Sequence, residues 1–313
     1  MRPLRQAALG VLIALFVAVP VAAQDTASAS RDLARLLAND APTTPAVKVV
    51  GTQRDGDVTV DDVSFPSVSG GPPIEAYIVR PTAPATGLAG VLFVHWFGPP
   101  APTSNRTQFL DEAKALARRG TVSLLVSTFW SDPNRYRARR WETDFDNSVA
   151  QAKDLRRALD VLLLQRGVDP GRLAYVGHDY GAMFGMLISA VDPRPKAYAL
   201  IAPAPRFTDW YLFGSASGVP AGDARAQFLS RFAAIEPINV VGRTKASVFF
   251  QFGEMDKYTP RKDFIELYLA GPASKRMATY PSEHEMTDEI IRHDRMVWLA
   301  EQLRLPDRTR ESG

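Results

Sequence analysis

From residue 89 to its end the chain alternates short apolar runs with longer amphipathic ones, and this alternation restricts the fold more than any other feature. Val91-Leu92-Phe93-Val94, inside a strand expected over 88–95, is apolar without a break, as suits a strand buried on both faces. Further strands are expected over 121–127, 172–176, 197–202, 247–252 and 276–280. Helical periodicity fills the gaps at 105–119, 143–166, 180–190, 262–269 and 290–303. Strands that take turns with helices imply an α/β fold: a mostly parallel sheet with helices on both faces. Two earlier strands, 57–65 and 74–80, have only the Gly70-Gly71-Pro72-Pro73 turn region between them and no helix, so they are expected to pair antiparallel at one edge. Residues 203–243 interrupt the alternation and are rich in aromatics, Pro and Gly. At roughly 40 residues the insert is too short for a domain and long enough for a lid.

Composition narrows the function. The 313 residues are 46% hydrophobic and 23% charged, which is far from the pattern of a disordered chain. There is no cysteine, so disulfides, thiolate metal sites and a cysteine nucleophile are excluded. Residues 1–23 read as a signal peptide. Arg2 and Arg5 precede an apolar run from Ala7 to Val19, Pro20 breaks it, and Val21-Ala22-Ala23 offers small residues for cleavage. The run is shorter than the roughly 20 residues of a membrane span, so export to the periplasm or medium is expected rather than anchoring. Removing Arg2 and Arg5 takes the formal charge from +3 to +1, and no nucleic-acid partner is expected of the remainder. The expected organisation is a leader at 1–23, an N-terminal arm at 24–56, the main domain at 57–305 and a tail at 306–313. Oligomeric state is not readable.

The most informative residues are Gly177-His178-Asp179-Tyr180-Gly181, between a strand and a helix rich in small residues. This is the setting of a nucleophile elbow, a sharp turn that exposes one side chain at a helix N-terminus. The glycines are required where a Cβ would strike the neighbouring strand or helix. The central residue is aspartate. The helix N-terminus favours it as an anion, and a carboxylate can attack an sp3 carbon that bears a leaving group or belongs to an epoxide ring. The product is an ester on the enzyme that water must cleave. The plainer role for such an Asp is helix capping.

Two further groups stand in a matching order. Asp256 follows the strand at 247–252, and His284 follows the strand at 276–280. Nucleophile, acid and histidine, each at a strand's carboxyl end, form the chain order of the hydrolase triad. His95-Trp96-Phe97-Gly98 closes the strand at 88–95 and can supply a backbone N–H from Trp96 or Phe97 to an oxyanion hole, with Tyr180 N–H as the other donor. His95 itself reads as structural, His178 as pointing away from the reaction and His293 as exposed. In the insert, Trp210 and Tyr211 are candidate substrate-binding residues; with Phe213 they equally suit a small core of the lid. Trp130, Arg135, Arg137 and Arg139 read as a solvated basic turn. No metal-ligand spacing, phosphate loop or dinucleotide motif is present, so no cofactor is expected.

With these motifs the sequence over about 57–305 resembles the α/β-hydrolase superfamily. The elbow is similar to the Gly-His-Asp-Trp-Gly elbow of epoxide hydrolases and haloalkane dehalogenases, while the short insert and spacing resemble the dienelactone hydrolase group, whose nucleophile is a thiol or hydroxyl. Tyr180 stands where dehalogenases place a halide-binding tryptophan, and Trp96 where the family usually has glycine. Epoxide hydrolases protonate the epoxide oxygen with two tyrosines of a larger cap, for which Tyr211 is the evident lid candidate here. The resemblance implies a cofactor-free hydrolase of a small organic substrate that works through a covalent ester on Asp179, of epoxide or haloalkane type. The alternatives are a dienelactone hydrolase-like ester or lactone hydrolase, in which Asp179 is a base or positions water, and a non-catalytic binding protein on the same scaffold. The retained Asp256 and His284 count against the last.

Overall fold

The computed structural model describes residues 21–38, 44–99 and 101–306. The expected leader lies outside these residues except for Val21-Ala22-Ala23, which open a helix, α1 (Val21–Leu36). It is followed by β1 (Lys48–Asp55), β2 (Val58–Phe65), β3 (Ile74–Pro81), β4 (Leu88–Val94), α2 (Leu110–Ala117), β5 (Thr121–Val126), α3 (Pro133–Arg137), α4 (Trp141–Leu163), β6 (Val168–His178) and α5 (Tyr180–Ser189). Then come β7 (Pro195–Ile201), α6 (Phe207–Tyr211), α7 (Gly222–Phe232), α8 (Pro237–Val240), β8 (Ser247–Gly253), α9 (Arg261–Ala270), β9 (Lys275–Tyr280) and α10 (Glu289–Leu303).

The strands form one nine-stranded sheet in the order β1-β2-β3-β5-β4-β6-β7-β8-β9. β1, β2 and β3 run as antiparallel neighbours, and β3 meets β5 antiparallel. From β5 to β9 every pairing is parallel. Successive residues of β4 face opposite layers. Leu92 and Val94 pack with α4 and α5, while Ala89, Val91 and Phe93 pack with Phe109, Ala113 and Leu116 of α2 and its approach and with Trp298 and Leu299 of α10. A strand covered on both sides needs an unbroken apolar run, which is why 91–94 has one. The chain leaves β4 for β5 on one side and returns for β6 on the other. The order therefore reverses at β4 and β6, and the crevice at their carboxyl ends is where such sheets place their sites.

Three segments differ from the sequence reading. The arm is folded in: Leu33 and Leu37 are buried in the core, Arg156 on α4 donates to the Leu37 carbonyl, and Lys48–Asp55 adds an exposed edge strand. Burial of leucines of this kind contributes about 1.5–3 kcal/mol each. The helix expected over 105–119 begins only at Leu110, because Asn105 Oδ1 accepts from Thr107 N–H at 2.8 Å and its amide donates to Pro102 O, which holds the chain in turns. The basic turn at 129–140 is only partly solvated. Trp130 is fully buried, and Arg139 is buried between Asp144 and the carbonyls of Tyr211 and Phe213, so it ties α4 to the insert.

Candidate active site

The elbow sits at the crevice. Asp179 has φ 53° and ψ −117°, in the left-handed half of backbone space, which costs a non-glycine residue about 1–3 kcal/mol. Its neighbours make room. A Cβ on Gly177 would lie 2.4 Å from the Gly181 backbone, and one on Gly181 would lie 2.2 Å from the Val94 carbonyl oxygen. The turn presents Asp179 at the N-terminus of α5, yet its side chain makes no capping bond to that helix. Oδ2 instead accepts from Phe97 N–H, at 3.1 Å, across the gap between β4 and β6. Oδ1 is buried and has no hydrogen-bond partner. The carboxylate is thus not a helix cap. It has one oxygen held and one free.

The loop after β4 explains which N–H does the holding. Trp96 N–H is taken by Gln108 Oε1 at 2.9 Å, so of the two expected donors Phe97 is the one aimed at Asp179. The Trp96 ring instead stacks on His178, centroids 5.2 Å apart and ring planes nearly parallel. His95 donates Nδ1–H to Trp96 O, and its Nε2 meets Ser131 and Thr128 hydroxyls; burial pushes it down to about 4, so it is a neutral structural group. Tyr180 N–H is the first of α5 and lies at the helix's positive end. The Tyr180 hydroxyl meets that of Tyr136 at 2.5 Å. Burial first, and the Asp179 charge further down, raise both phenols, so both stay protonated.

His284, after β9, donates Nδ1–H to Asp256 Oδ2 at 2.7 Å, while Asp256 Oδ1 accepts from the N–H groups of Tyr258 and Thr259. That fixes the tautomer and turns Nε2 toward Asp179, 3.8 Å from the free Oδ1 and itself unpartnered. Burial alone lowers the affinity of an imidazole for its second proton. Here the carboxylates of Asp179 and Asp256 outweigh burial and push His284 up to about 10. Gly253 lets the loops after β8 and β9 meet, since a Cβ there would lie 2.4 Å from Ser282 O.

Aromatic rings close the site. Trp210 and Tyr258 stand 5.7 and 5.2 Å from the His284 ring, and Trp210 is 5.6 Å from Tyr180. Phe97 packs on Tyr136 at 4.0 Å. Asp179 is 0% exposed and His284 4%. A cavity of about 170 Å³ lies behind the site, lined by Trp96, Gln108, His178, Glu112, Met286 and Arg295. Among the described residues no group of three or more His, Cys, Asp or Glu side chains is placed to hold a metal.

Of the sequence-singled residues, Asp179, Asp256, His284, Phe97, Tyr180 and Trp210 converge here. Trp96 is spent on Gln108 and His178. Tyr211 is buried in the insert, its hydroxyl accepting from Ser148 and its ring against Phe207, Phe232 and, 5.6 Å away, the Tyr180 ring, so it backs the site through Tyr180. Phe213 is exposed and His293 is exposed on α10. Gln108, Tyr136 and Tyr258 were not legible as site residues. Tyr136 meets Tyr180 across 44 positions, and no local motif marks that pairing.

No family model matches the chain, and no curated protein matches it. Solved structures do. The acetyl xylan esterase of Paenibacillus sp. R4 is 19% identical with a TM-score of 0.70, covering 86% of this chain and 92% of its own. Acetyl xylan esterase 1 of Thermoanaerobacterium sp. JW/SL YS485 is 15% identical with a TM-score of 0.67, over 87% and 93%. A protein of Klebsiella pneumoniae subsp. pneumoniae MGH 78578 assigned as a dienelactone hydrolase is 19% identical with a TM-score of 0.57, over 80% and 99%.

Proposed function

We propose that this chain, which has the α/β-hydrolase fold, is a hydrolase that carries its substrate as a covalent ester on Asp179. One observation carries the reading: Oδ2 already occupies the oxyanion position at Phe97 N–H, while Oδ1 is free and faces His284. A substrate carbonyl would need the place that Oδ2 fills. The arrangement suits a reaction in which the oxyanion forms on Asp179 itself.

For an epoxide the steps balance as follows. Oδ1 bonds to a ring carbon, the ring C–O bond breaks, and the oxygen takes a proton from the Tyr136–Tyr180 hydroxyl pair. Esterification removes the Asp179 charge, and with it part of what keeps His284 protonated. The imidazolium proton restores the phenol through solvent. Neutral His284, aligned by Asp256, then takes a proton from water as the water attacks Cγ of Asp179. The charge that develops on Oδ2 is met by Phe97 N–H. Collapse breaks the Cγ–Oδ1 bond, the diol leaves with the proton from His284, and the carboxylic acid left on Asp179 passes its proton to His284, which restores the starting pair. A neutral apolar substrate fits walls built from Phe97, Trp210 and Tyr258. A haloalkane would follow the same course without the phenol.

A second reading is ester or lactone hydrolysis, with Asp179 as a base or positioning water. What favours it is the company the fold keeps, since the solved neighbours include acetyl xylan esterases. The test is a panel of styrene oxide, a bromoalkane and p-nitrophenyl esters, given to the native chain and to His284→Gln. The first reading expects turnover of the oxide or bromide by the native chain and a stable mass increase in the variant, equal to the whole epoxide or to the alkyl group. Ester turnover with no adduct on any substrate selects the second reading.

A further inference from the structure

We propose that Gln108 is the positioning residue of this site: its amide ties together the three loops that carry the oxyanion donor, the nucleophile and the base. The proposal rests on the covalent-ester reading for its kinetic consequence, though not for its geometry.

Every proton in the strut is forced. Trp96 N–H can only donate, so the oxygen of the Gln108 amide faces it, at 2.9 Å. The Gln108 NH2 therefore faces His178 and donates to Nδ1 at 2.6 Å. His178 Nδ1 must be bare, so its proton sits on Nε2, which donates to the backbone carbonyl of His284 at 2.8 Å. Trp96 follows β4, His178 ends β6 and His284 follows β9. One chain of three hydrogen bonds thus spans all three carboxyl-end loops, and the Trp96 ring stacked on His178 braces it. The consequence for chemistry lies at the next residue. Because Gln108 holds the Trp96 N–H away from the elbow, the following peptide aims Phe97 N–H at Asp179 Oδ2.

The strut works only with neutral His178. A second proton on Nδ1 would confront the Gln108 NH2. Burial, then the His284 charge, hold His178 well below its ordinary value. The charged groups around it across the cavity are Arg295, bound to Glu112, together with Arg292, Glu285 and Asp111.

Two variants and one spectrum test this. In the native chain, 15N NMR of His178 should show the proton on Nε2, and the Phe97 amide proton should be shifted downfield by its carboxylate acceptor. In Gln108→Leu that amide should move upfield, and kcat on the responsive substrate should fall about 10- to 100-fold with KM falling in proportion, so that kcat/KM stays within about twofold, as expected when an oxyanion donor used only in ester hydrolysis is displaced. Since the oxyanion forms only in the second step, covalent ester should accumulate in Gln108→Leu even though His284 is intact. Gln108→Glu keeps the shape but can only accept, so it should draw a second proton onto His178. An unmoved Phe97 amide in Gln108→Leu, or a native proton on Nδ1, overturns the proposal. So does native kcat in a folded Gln108→Leu. If His284→Gln forms no adduct while the Phe97 amide still moves, the covalent-ester reading fails and the strut stands.

Discussion

Asp179 and Glu236 are both buried carboxylates at the N-termini of helices, and they are used in opposite ways. Glu236 accepts from Phe207 N–H, Thr208 N–H and the Thr208 hydroxyl, and so closes the first turn of α6, the helix of the insert that carries Trp210. Burial pushes it up to about 7. Asp179 begins a helix, and its side chain gives that helix no cap. Its side chain takes one hydrogen bond, from another strand's loop, and keeps an oxygen without a hydrogen-bond partner, facing His284. A carboxylate that serves the fold fills its lone pairs, whereas one kept for chemistry leaves an oxygen unfilled and has the surroundings bear the cost. That cost is visible at Asp179 in the positive φ and the two glycines that permit it.

The same chemical change at the two sites should therefore separate them. Asp179→Asn should remove the nucleophile and drop turnover by roughly 10⁴-fold or more with the fold intact, as steady-state rates and circular dichroism would show. Retained turnover would put Asp179 in the same class as Glu236. Next in size is Asp256→Asn. It keeps the shape but can offer its NH2 to His284 Nδ1 and so turn the imidazole, for an expected loss of about 10³- to 10⁴-fold.

A smaller effect is a pH signature in stability. His284 is raised from 6.5 to about 10 in the fold, so the stability it contributes is whole below about pH 6.5 and is lost as the pH rises through 10. Denaturant unfolding of the native chain should show that loss between pH 7 and 10, and His284→Gln should not. Smallest is Glu236→Gln. Its NH2 must face one of the two N–H groups of α6, which costs about 1–2 kcal/mol of stability while turnover falls less than at Asp179 or Asp256. Glu236 binds its proton more tightly folded than unfolded, so its own contribution is full below about pH 4.5 and fades through 7. The stability difference between native and variant should change across that window.

What could be read in the sequence follows the same division. The sheet was legible because strands covered on both faces need apolar runs, and the elbow because its glycines answer a local collision. Asp256 and His284 were legible by their places after strands. The arm was not, since β1 is exposed throughout and leaves no apolar pattern, and around the end of α1 only Leu33, Leu36 and Leu37 are set against the described core. Gln108 and Tyr136 were not legible either. Their roles arise from polar contacts made across 70 and 44 positions, and a single Gln or Tyr carries no periodicity to announce them. Which of Trp96 and Phe97 turns its N–H to Asp179 rested on Gln108 and could not be read before the fold was known.

A single turnover in H2¹⁸O tests the nucleophile most directly. If Oδ1 bonds to the substrate and water attacks Cγ, the product leaves with an unlabelled oxygen and the Asp179 peptide gains one ¹⁸O, 2 mass units heavier by the isotope's definition. Label found wholly in the product, with the Asp179 peptide unchanged, would mean that water attacks the substrate and that Asp179 never forms a bond to it.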